Sequence, residues 1–351
     1  MILPSLSVIL PNYNHGHYLP VCLEAMLSQS FSASEIIIVD DASTDNSVEV
    51  IEGFARQNPT IRLVRNEQNL GAMPSFLKGL SLSTGDYFLS ASADDFVLPG
   101  LFEKSIKLLS KYPQAGLCSA ISRRIDESGN YLDSVPEPPY LSSTPCYISP
   151  EKALNALTRQ DNWCIMPSTA IWSKSMVVES KAFPAEAGKF MDGFAMALIS
   201  LNYGVCFIPE ELGVFRLMEN SLTAKEREDP EACWELFRPM DELMETTYAD
   251  KFPIEYKNDF RRRNFYQRGA LAVYQLKKSQ LNFMKNLELS LGTNFLADRL
   301  FFSGTRIFFR VQNILTKLYL FLRLRRLNRS IILRVVYRLK NSFLKNKSHL
   351  F

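Results

Sequence analysis

Over the N-terminal part of the chain, short apolar segments alternate with segments of helical periodicity. Residues 6–10, 35–39 and 61–65 have the length and composition of strands. The segment 35–39 is β-branched and apolar on both faces, which suits a parallel sheet covered on both sides. Between the strands, the apolar residues of 19–27 have helical spacing, and residues 45–56 form a second predicted helix behind a polar loop.

A fourth predicted strand ends at Leu89, after a helix that reaches Leu82 and a turn at Thr84–Gly85. Each predicted strand is followed by a polar loop. Alternation of this kind predicts an α/β fold with a Rossmann-like, doubly wound and mostly parallel sheet. Ligands of such sheets bind beyond the carboxyl ends of the strands.

Two adjacent carboxylates, Asp94 and Asp95, follow the fourth strand at such a place. Side-by-side anions repel each other, and burial raises the cost of both unless a cation or hydrogen bonds compensate. A divalent metal that carries a phosphorylated ligand would satisfy both groups. The alternative is a polar loop before the turn at Pro99–Gly100 that caps the next helix.

Composition sets further limits. With 351 residues, 46% of them hydrophobic, the chain can bury a substantial core. The six cysteines are scattered without metal-ligand spacing, so we expect reduced cysteines in a cytosolic protein. The start lacks a basic signal-peptide region, and no apolar run approaches 18 residues, so we expect neither export nor a membrane span.

The net charge of +3 hides a strong asymmetry. From Leu296 onward there are 13 Lys and Arg and one acidic residue, which leaves 27 basic and 36 acidic residues before it. Apolar and basic positions of this tail fall largely on opposite helical faces, which favours the surface of an anionic membrane. A helix pair packed on the protein, or an oligomer contact, is the alternative. No nucleic-acid-binding module accompanies the charge, so we expect no nucleic acid partner.

Several motifs in order resemble glycosyltransferase family 2, whose members have the GT-A fold. The resemblance covers roughly residues 5–225, and its segments are Pro11–Asn14, Ser28–Ser30, Glu35–Asp45, Asn69–Gly71 and Ala93–Asp95. It implies a nucleotide-diphosphate-sugar donor, a divalent metal (Mg²⁺ or Mn²⁺) and transfer with inversion at the anomeric carbon.

The resemblance also implies roles for single residues. Pro11 and Tyr13 match the loop on which the nucleobase packs, and Asp41 matches the carboxylate that accepts a hydrogen bond from the base. Asp95 matches the residue that coordinates the metal directly, and Asp94 matches a neighbour of the ribose and of metal-bound water.

The catalytic base implied by the resemblance is Asp192, because the family carries its second carboxylate there. An acceptor hydroxyl must lose its proton as it attacks, so the chemistry needs such a group. The alternative is that Asp192 is an N-cap of the helix predicted at 194–201. A helix cap is likewise the alternative for Asp40 and Asp41.

The chain departs from the family pattern at Met191, which replaces the acidic neighbour of Asp192, and at three other places. Ser92 stands where relatives often have an acidic residue, which removes one anion from the metal motif. Phe76–Leu77 replaces an Arg-Asn pair, and Lys78 is a candidate substitute for the lost phosphate contact. Met218 stands where relatives often carry a histidine, so Arg216 or water would take over its work; a surface ion pair is the alternative for Arg216.

Three expectations concern the middle of the chain. Residues 123–150 have little periodicity and predict a long loop or hairpin that borders the active site. A last strand is predicted at 205–209. Trp163 and Trp172 are expected in the core, with stacking on an acceptor sugar as the alternative.

The patterns together predict a catalytic domain at 1–225, a helical C-terminal extension at 226–295 and a membrane-associating tail at 296–351. The predicted function is inverting glycosyl transfer in bacterial cell-surface polysaccharide or glycolipid synthesis. The acceptor would be a sugar or a lipid-linked sugar, at the inner face of the cell membrane. The alternatives are a non-catalytic sugar-nucleotide-binding scaffold and a sugar-phosphate nucleotidyltransferase.

Overall fold

The computed structural model describes residues 4–132, 142–159, 167–218, 230–261 and 263–264. Nine strands form one mixed sheet in the spatial order β3-β2-β1-β4-β8-β6-β9-β5, with β7 beside β9. The strands are β1 (Leu6–Asn12), β2 (Glu35–Asp40), β3 (Ile61–Arg65), β4 (Tyr87–Ser90), β5 (Phe96–Val97), β6 (Leu117–Ile125), β7 (Cys146–Ile148), β8 (Ile171–Ser173) and β9 (Val205–Arg216).

Helices cover both faces of this sheet. They are α1 (Leu19–Leu27), α2 (Ser47–Gln57), α3 (Ala72–Leu82), α4 (Leu101–Lys111), α5 (Pro150–Arg159), α6 (Lys174–Ser180), α7 (Met191–Tyr203) and α8 (Pro230–Glu245), with 3-10 turns at Pro167–Thr169 and Ala185–Phe190. Strand β1 shows why both faces are needed, because Val8 and Leu10 pack into one buried apolar cluster and Ile9 into the other. The doubly wound layout predicted from the sequence is confirmed.

Strands β1, β2, β3 and β4 are mutually parallel, with β1 between β2 and β4. Strand β8 is antiparallel to both β4 and β6, while β6 and β9 are parallel. Strands β6 and β9 therefore point the same way as β1 and β4. The carboxyl ends of all these parallel strands meet at one edge of the sheet.

Strand β9 is longer than the predicted 205–209 and runs on to Arg216. Its register against β6 shifts where Ile208 and Glu211 pair with consecutive residues of β6, so Pro209 lies in the irregular stretch. A bulge tolerates proline because the ladder there needs no backbone donor. The proline therefore does not end the strand, and Arg216 is carried to the ligand-binding edge.

An aromatic cluster explains one departure from the family pattern. Phe76 is buried against Phe183, with 4.9 Å between the ring centroids, and Phe88 stacks on Trp172 at 6.3 Å. Position 76 therefore belongs to the core beneath α3. Trp172 is a core residue as predicted, and Trp163 lies outside the described residues.

Other predictions about the remaining chain have mixed outcomes. The predicted loop at 123–150 begins as β6 and a turn at 126–130, and ends with β7 and the start of α5. Residues 230–245 and 254–261 are helical and 246–253 form the turn between them, whereas 226–229, most of 262–295 and the tail at 296–351 fall outside the described residues. Among the described helices, none is both long enough and apolar enough to cross a bilayer. Four described cysteines are free thiols, as expected.

Candidate functional site

Three acidic residues follow strands that flank β1 at the carboxyl edge of the sheet. Asp41 comes directly after β2, and Asp94 and Asp95 lie between β4 and β5. The main chain joins these ends, because Asp41 N–H donates to the carbonyl of Asn12 at the end of β1. The parallel topology thus gathers the predicted donor-binding residues at one edge.

Asp95 is a buried carboxylate whose negative charge is offset by few hydrogen-bond donors of the protein. It is 8% exposed, and its Oδ1 accepts a 2.8 Å hydrogen bond from the backbone N–H of Arg216. Burial raises the pKa of Asp95 to about 8, and the charge of Asp94 adds to the rise, although the Arg216 N–H opposes it. Asp95 is therefore a group whose charged form would gain from a nearby cation.

Asp94 is half-buried beside it. The Ser92 hydroxyl donates to Asp94 Oδ1, and the Asp94 carbonyl accepts a 3.1 Å hydrogen bond from Arg216 Nε. Ser92, which stands where relatives often have an acid, thus orients Asp94. Neither carboxylate caps the following helix, since Gly100 is the N-cap of α4. The helix-cap alternative for this pair is wrong.

Asp41, in contrast, is surrounded by donors. Its Oδ1 accepts from Asn66 Nδ2 at 2.7 Å and from Leu70 N at 2.9 Å, and its Oδ2 accepts from Gly71 N at 2.7 Å. Burial alone would raise the pKa of Asp41, but these hydrogen bonds together lower it below its ordinary value. Asp41 therefore holds the loop after β3 in place as an ionised carboxylate.

Asn66 is the centre of this second network, and sequence reasoning gave it no role. Its Nδ2 also donates to Ser75 Oγ at 3.0 Å, and its Oδ1 accepts from Lys78 Nζ at 2.7 Å. Lys78, the candidate phosphate contact, is engaged in fixing the Asn66 amide. The signal for Asn66 was weak, because a single asparagine after a strand is common in loops.

Asp40 orders the neighbouring loop. It is fully buried and accepts hydrogen bonds from Asn12 Nδ2 at 2.9 Å and from Ser43 N at 3.0 Å. The N-cap of α2 is Asn46, so the helix-cap alternative for Asp40 and Asp41 is wrong. The helix predicted at 45–56 begins two residues later, at Ser47.

The predicted nucleobase loop begins at the end of β1. Pro11 pairs with Val39 inside the sheet, and Tyr13 follows the strand with 41% of its surface exposed. Asn14 has a φ of +56° in the left-handed region, and its Oδ1 accepts from Thr44 N at 2.7 Å. The loops after β1 and β2 are thereby tied together, and the Tyr13 ring is accessible to a ligand.

Asp192 lies in the first turn of α7, not at its N-cap, which is Phe190. Its Oδ1 accepts a 2.7 Å hydrogen bond from Gly193 N, a favourable arrangement at a helix N-terminus. Gly204 alone connects α7 to β9, so α7 ends at the edge of the sheet where β9 begins. The placement of Asp192, at the other end of α7, beside Asp95 stays a prediction.

Arg216 and Tyr18 connect the loop after β1 with the loop that carries Asp94 and Asp95. The Arg216 guanidinium lies over the Tyr18 ring at 4.7 Å, and its Nη1 donates to the carbonyls of Asp126 and Glu127 at 3.1 Å each. Tyr18 in turn donates to Met218 Sδ at 3.7 Å. Among the described residues, the side-chain hydrogen bonds of Arg216 end on backbone carbonyls. No sequence pattern singled out Tyr18.

The donor set at this edge fits a hard divalent cation. Among the described residues there is no group of three acidic, histidine or cysteine ligands. Asp94 and Asp95 nevertheless supply adjacent carboxylates, and Mg²⁺-type sites combine one or two carboxylates with phosphate oxygens of the substrate. A cavity of about 440 Å³ lies elsewhere, between α3, α6 and α8, and none of these carboxylates lines it.

Comparisons with known proteins find similarity to glycosyltransferases. Residues 7–176 match the family described as Glycosyl transferase family 2. The chain is 26% identical over 276 residues to an uncharacterized glycosyltransferase of Nostoc sp., covering 75% of this chain and 83% of the relative. It is 42% identical over 98 residues to the uncharacterized glycosyltransferase YibD of Escherichia coli and 39% identical over 98 residues to the glycosyltransferase GlyG of Streptococcus pneumoniae. These two matches cover 28% of this chain, 28% of YibD and 33% of GlyG.

Solved structures show the same fold at low identity. S. aureus TarS 1–349 in complex with UDP has a TM-score of 0.57 at 15% identity, covering 90% of this chain and 87% of that one. The mannosyltransferase PcManGT from Pyrobaculum calidifontis, in complex with GDP-Man and Mn²⁺, has a TM-score of 0.53 at 15% identity, covering 92% and 87%. The predicted GT-A fold is confirmed.

Proposed function

We propose that the chain is a member of glycosyltransferase family 2 and that it transfers a sugar from a nucleotide-diphosphate-sugar to an acceptor hydroxyl with inversion at the anomeric carbon. The observation that carries the proposal is the Asp94–Asp95 pair at the carboxyl edge of a GT-A sheet. The protein supplies too few hydrogen-bond donors to offset the charge of the buried Asp95 carboxylate. A buried carboxylate with a raised pKa in such a position is typical of a ligand site.

The donor would lie across the ends of β1, β2 and β4. Pro11 and Tyr13 would pack on the nucleobase, with Asp41 at its polar edge and Asp94 near the ribose. The exposed ring of Tyr13 and the fixed loop below it support this orientation, because stacking needs an accessible and rigid aromatic surface. Related structures bind UDP, UDP-GlcNAc and GDP-Man, which supports a nucleotide-sugar donor.

Asp95 would hold a divalent cation, Mg²⁺ or Mn²⁺, together with the donor phosphates. Such a cation would stabilise the charge that develops on the leaving nucleoside diphosphate. The protein's own contribution is to hold the Asp95 carboxylate at a fixed position through the N–H of Arg216. The Mn²⁺ in the PcManGT complex is consistent with this use of a metal in the fold.

Asp192 would take the proton of the acceptor hydroxyl. The group lies at the N-terminus of α7, and the Gly193 N–H fixes one oxygen of its carboxylate. The direction of α7 relative to β9 supports an approach of the acceptor from the side of this helix. Inversion would follow, because a base and a leaving diphosphate on opposite sides of the sugar permit a single in-line displacement.

The cellular role is proposed on the same basis. We assign the reaction to bacterial cell-surface polysaccharide or glycolipid synthesis, with a sugar or lipid-linked acceptor at the inner face of the cell membrane. Residues 1–225 would form the catalytic domain, 226–295 its helical extension and 296–351 a basic tail that holds the enzyme at an anionic membrane.

Asp192→Asn tests the mechanism. We expect release of nucleoside diphosphate from a panel of UDP- and GDP-sugars to fall about 10²- to 10⁴-fold, the usual contribution of a general base. Binding of UDP or GDP with Mn²⁺, measured by calorimetry, should stay within about twofold because Asp192 touches the acceptor side. Glu186→Gln, a nearby carboxylate on the preceding 3-10 turn, is the matched control and should retain activity.

The alternatives give different results in the same assays. Equal loss of turnover and of nucleotide binding in Asp192→Asn would assign the residue a structural role. Nucleotide binding by the wild type without turnover of any donor, with Mn²⁺ or Mg²⁺, would favour the non-catalytic scaffold. Consumption of a nucleoside triphosphate with a sugar phosphate would instead identify a nucleotidyltransferase.

A further inference from the structure

Arg216 contacts both members of the carboxylate pair, each in a different way. Its backbone N–H donates to Asp95 Oδ1 at 2.8 Å, and its side-chain Nε donates to the Asp94 carbonyl at 3.1 Å. The two contacts hold the segment that carries the pair from the end of β9, which is 121 positions away along the chain. One residue thus fixes both the carboxylate of Asp95 and the main chain of Asp94.

The other end of the guanidinium reaches two more segments. Nη1 donates to the carbonyls of Asp126 and Glu127, in the turn after β6. The flat face of the group lies over Tyr18, the residue just before α1. Since the loop from β1 to Tyr18 also carries Tyr13, the stack connects the proposed nucleobase loop with the carboxylate pair.

The geometry requires an arginine and not merely a positive charge. A guanidinium presents several N–H groups in one plane and can stack on an aromatic ring at the same time. A lysine ammonium is a point charge without that fork, so it cannot satisfy three carbonyls and cover the Tyr18 ring together. The guanidinium thus joins three segments: the loop between β4 and β5, the turn after β6 and the loop before α1.

From these contacts we infer that Arg216 is a positioning residue for cation and nucleotide binding, which it serves by fixing Asp94 and Asp95 and by coupling them to the nucleobase loop through Tyr18. The inference rests on the proposed function. Residues that orient metal ligands from behind typically affect metal affinity nearly as strongly as the ligands do. Met218, in the position where relatives often have a histidine, packs against Tyr18 and so belongs to the same assembly.

The test is calorimetric titration of the full chain with Mn²⁺ in the presence of UDP, and separately of GDP. Arg216→Lys keeps the charge and the backbone N–H to Asp95 but loses the fork. We expect its apparent Mn²⁺ affinity to fall about 10- to 100-fold. Tyr18→Leu keeps the four described hydrogen bonds of Arg216 and loses the stack together with the hydrogen bond to Met218 Sδ, so nucleotide affinity should fall by about three- to tenfold.

Arg123→Lys is the matched control. Arg123 lies on the neighbouring strand β6, pairs with Glu211 and lies over the Tyr131 ring at 5.3 Å, so it makes the same kinds of contact away from the pair. Its Mn²⁺ affinity should equal that of the wild type. A change of the same size in Arg123→Lys would indicate a general effect of removing a stacked arginine and would overturn the inference.

The remaining outcomes separate the two proposals. A wild-type chain that binds neither nucleotide with Mn²⁺ would refute the proposed function itself. Wild-type binding together with unchanged Mn²⁺ affinity in Arg216→Lys would overturn only the role of Arg216. If Arg216→Lys does not fold, Tyr18→Leu decides: weaker nucleotide binding supports the coupling, and equal binding overturns it.

Discussion

Asp41 and Asp95 are both buried, and they lie after β2 and β4, the two strands that flank β1. The protein treats them differently. Asp41 accepts hydrogen bonds from Asn66, Leu70 and Gly71, and its pKa is lowered despite burial. Asp95 accepts one hydrogen bond within the described residues, from Arg216, and its pKa is raised to about 8.

The difference shows that burial of an acid at a ligand-binding edge does not by itself identify a cation site. A carboxylate that the protein supplies with donors is stable as an anion and serves as an anchor for a loop. A carboxylate left short of donors is stable as an anion only when a cation from outside arrives. The hydrogen-bond partners therefore separate the anchor Asp41 from the proposed metal ligand Asp95.

The largest expected effect is on stability at the anchor. Asp41→Asn replaces one acceptor oxygen by an N–H₂ group that faces the N–H donors of the loop after β3. We expect the free energy of unfolding at pH 7 to fall by about 3 kcal/mol, because buried donors are left unpaired. Urea denaturation followed by circular dichroism measures this change.

The pH dependence of this loss sharpens the comparison. The folded-state pKa of Asp41 is lowered, so its stabilisation is present above the ordinary value of 3.8 and is lost as the pH falls through the folded-state value. The difference between wild type and Asp41→Asn should therefore shrink below about pH 4. Glu52→Gln, an exposed carboxylate on α2, is the control and should change stability by less than about 0.5 kcal/mol. A similar loss in both variants would contradict the anchor role.

The second expected effect has the opposite sign. Asp95→Asn keeps an oxygen to accept the Arg216 N–H but removes the buried charge, so in metal-free buffer at pH 8 it should stabilise the protein by about 2 kcal/mol. The folded-state pKa is raised, so the folded wild type binds a proton that the unfolded chain has lost between the ordinary pKa of 3.8 and about 8. The free energy of unfolding of the wild type therefore falls as the pH rises through that window. That of Asp95→Asn lacks this decrease, because the variant has no carboxyl group to titrate there.

Thermal denaturation from pH 5 to pH 9 in the presence of a chelator checks this prediction. The melting temperature of Asp95→Asn should exceed that of the wild type by an amount that grows up to about pH 8 and then levels off. Mn²⁺ with UDP should then raise the melting temperature of the wild type and not of the variant. A variant less stable than the wild type at pH 8 would show that Asp95 is satisfied by the protein after all.

The smallest expected effect is at Lys78, and it tests whether this residue contacts a donor phosphate or orients the Asn66 amide. Its Nζ donates to Asn66 Oδ1, so Lys78→Met should lower the free energy of unfolding by about 1 kcal/mol, the net value of one hydrogen bond. Nucleotide binding should stay unchanged if Lys78 orients the Asn66 amide. Lys107→Met, on the exposed face of α4, is the control for stability. A tenfold loss of UDP or GDP affinity in Lys78→Met would restore its role as a phosphate contact.

Much of the fold followed from local patterns. The β-branched run at 35–39 and the apolar segment at 6–10 are strands as predicted, because a strand buried on both faces needs a continuous apolar sequence. Prediction failed at Pro209, which the sequence rules treat as a strand end. A bulge at this place depends on the register against β6, and register is a property of two strands.

In the candidate site, the sequence likewise predicts some residues and not others. The Asp94–Asp95 pair stands out in the sequence, because adjacent acids after an apolar strand are a local pattern. The partners of the acids do not stand out, since Asn66 lies 25 positions and Arg216 lies 121 positions from the carboxylates that they bind. Nothing in the periodicity of either strand marks such a distant donor.

The sequence by itself determined the alternation of strands and helices, the edge at which the acids gather and the resemblance to glycosyltransferase family 2. Only the tertiary structure decided which buried acid is supplied with donors and which is left to a cation. The physical reason is that burial and periodicity are encoded by neighbours along the chain, whereas the charge state of a buried carboxylate depends on donors that the fold brings from far along it.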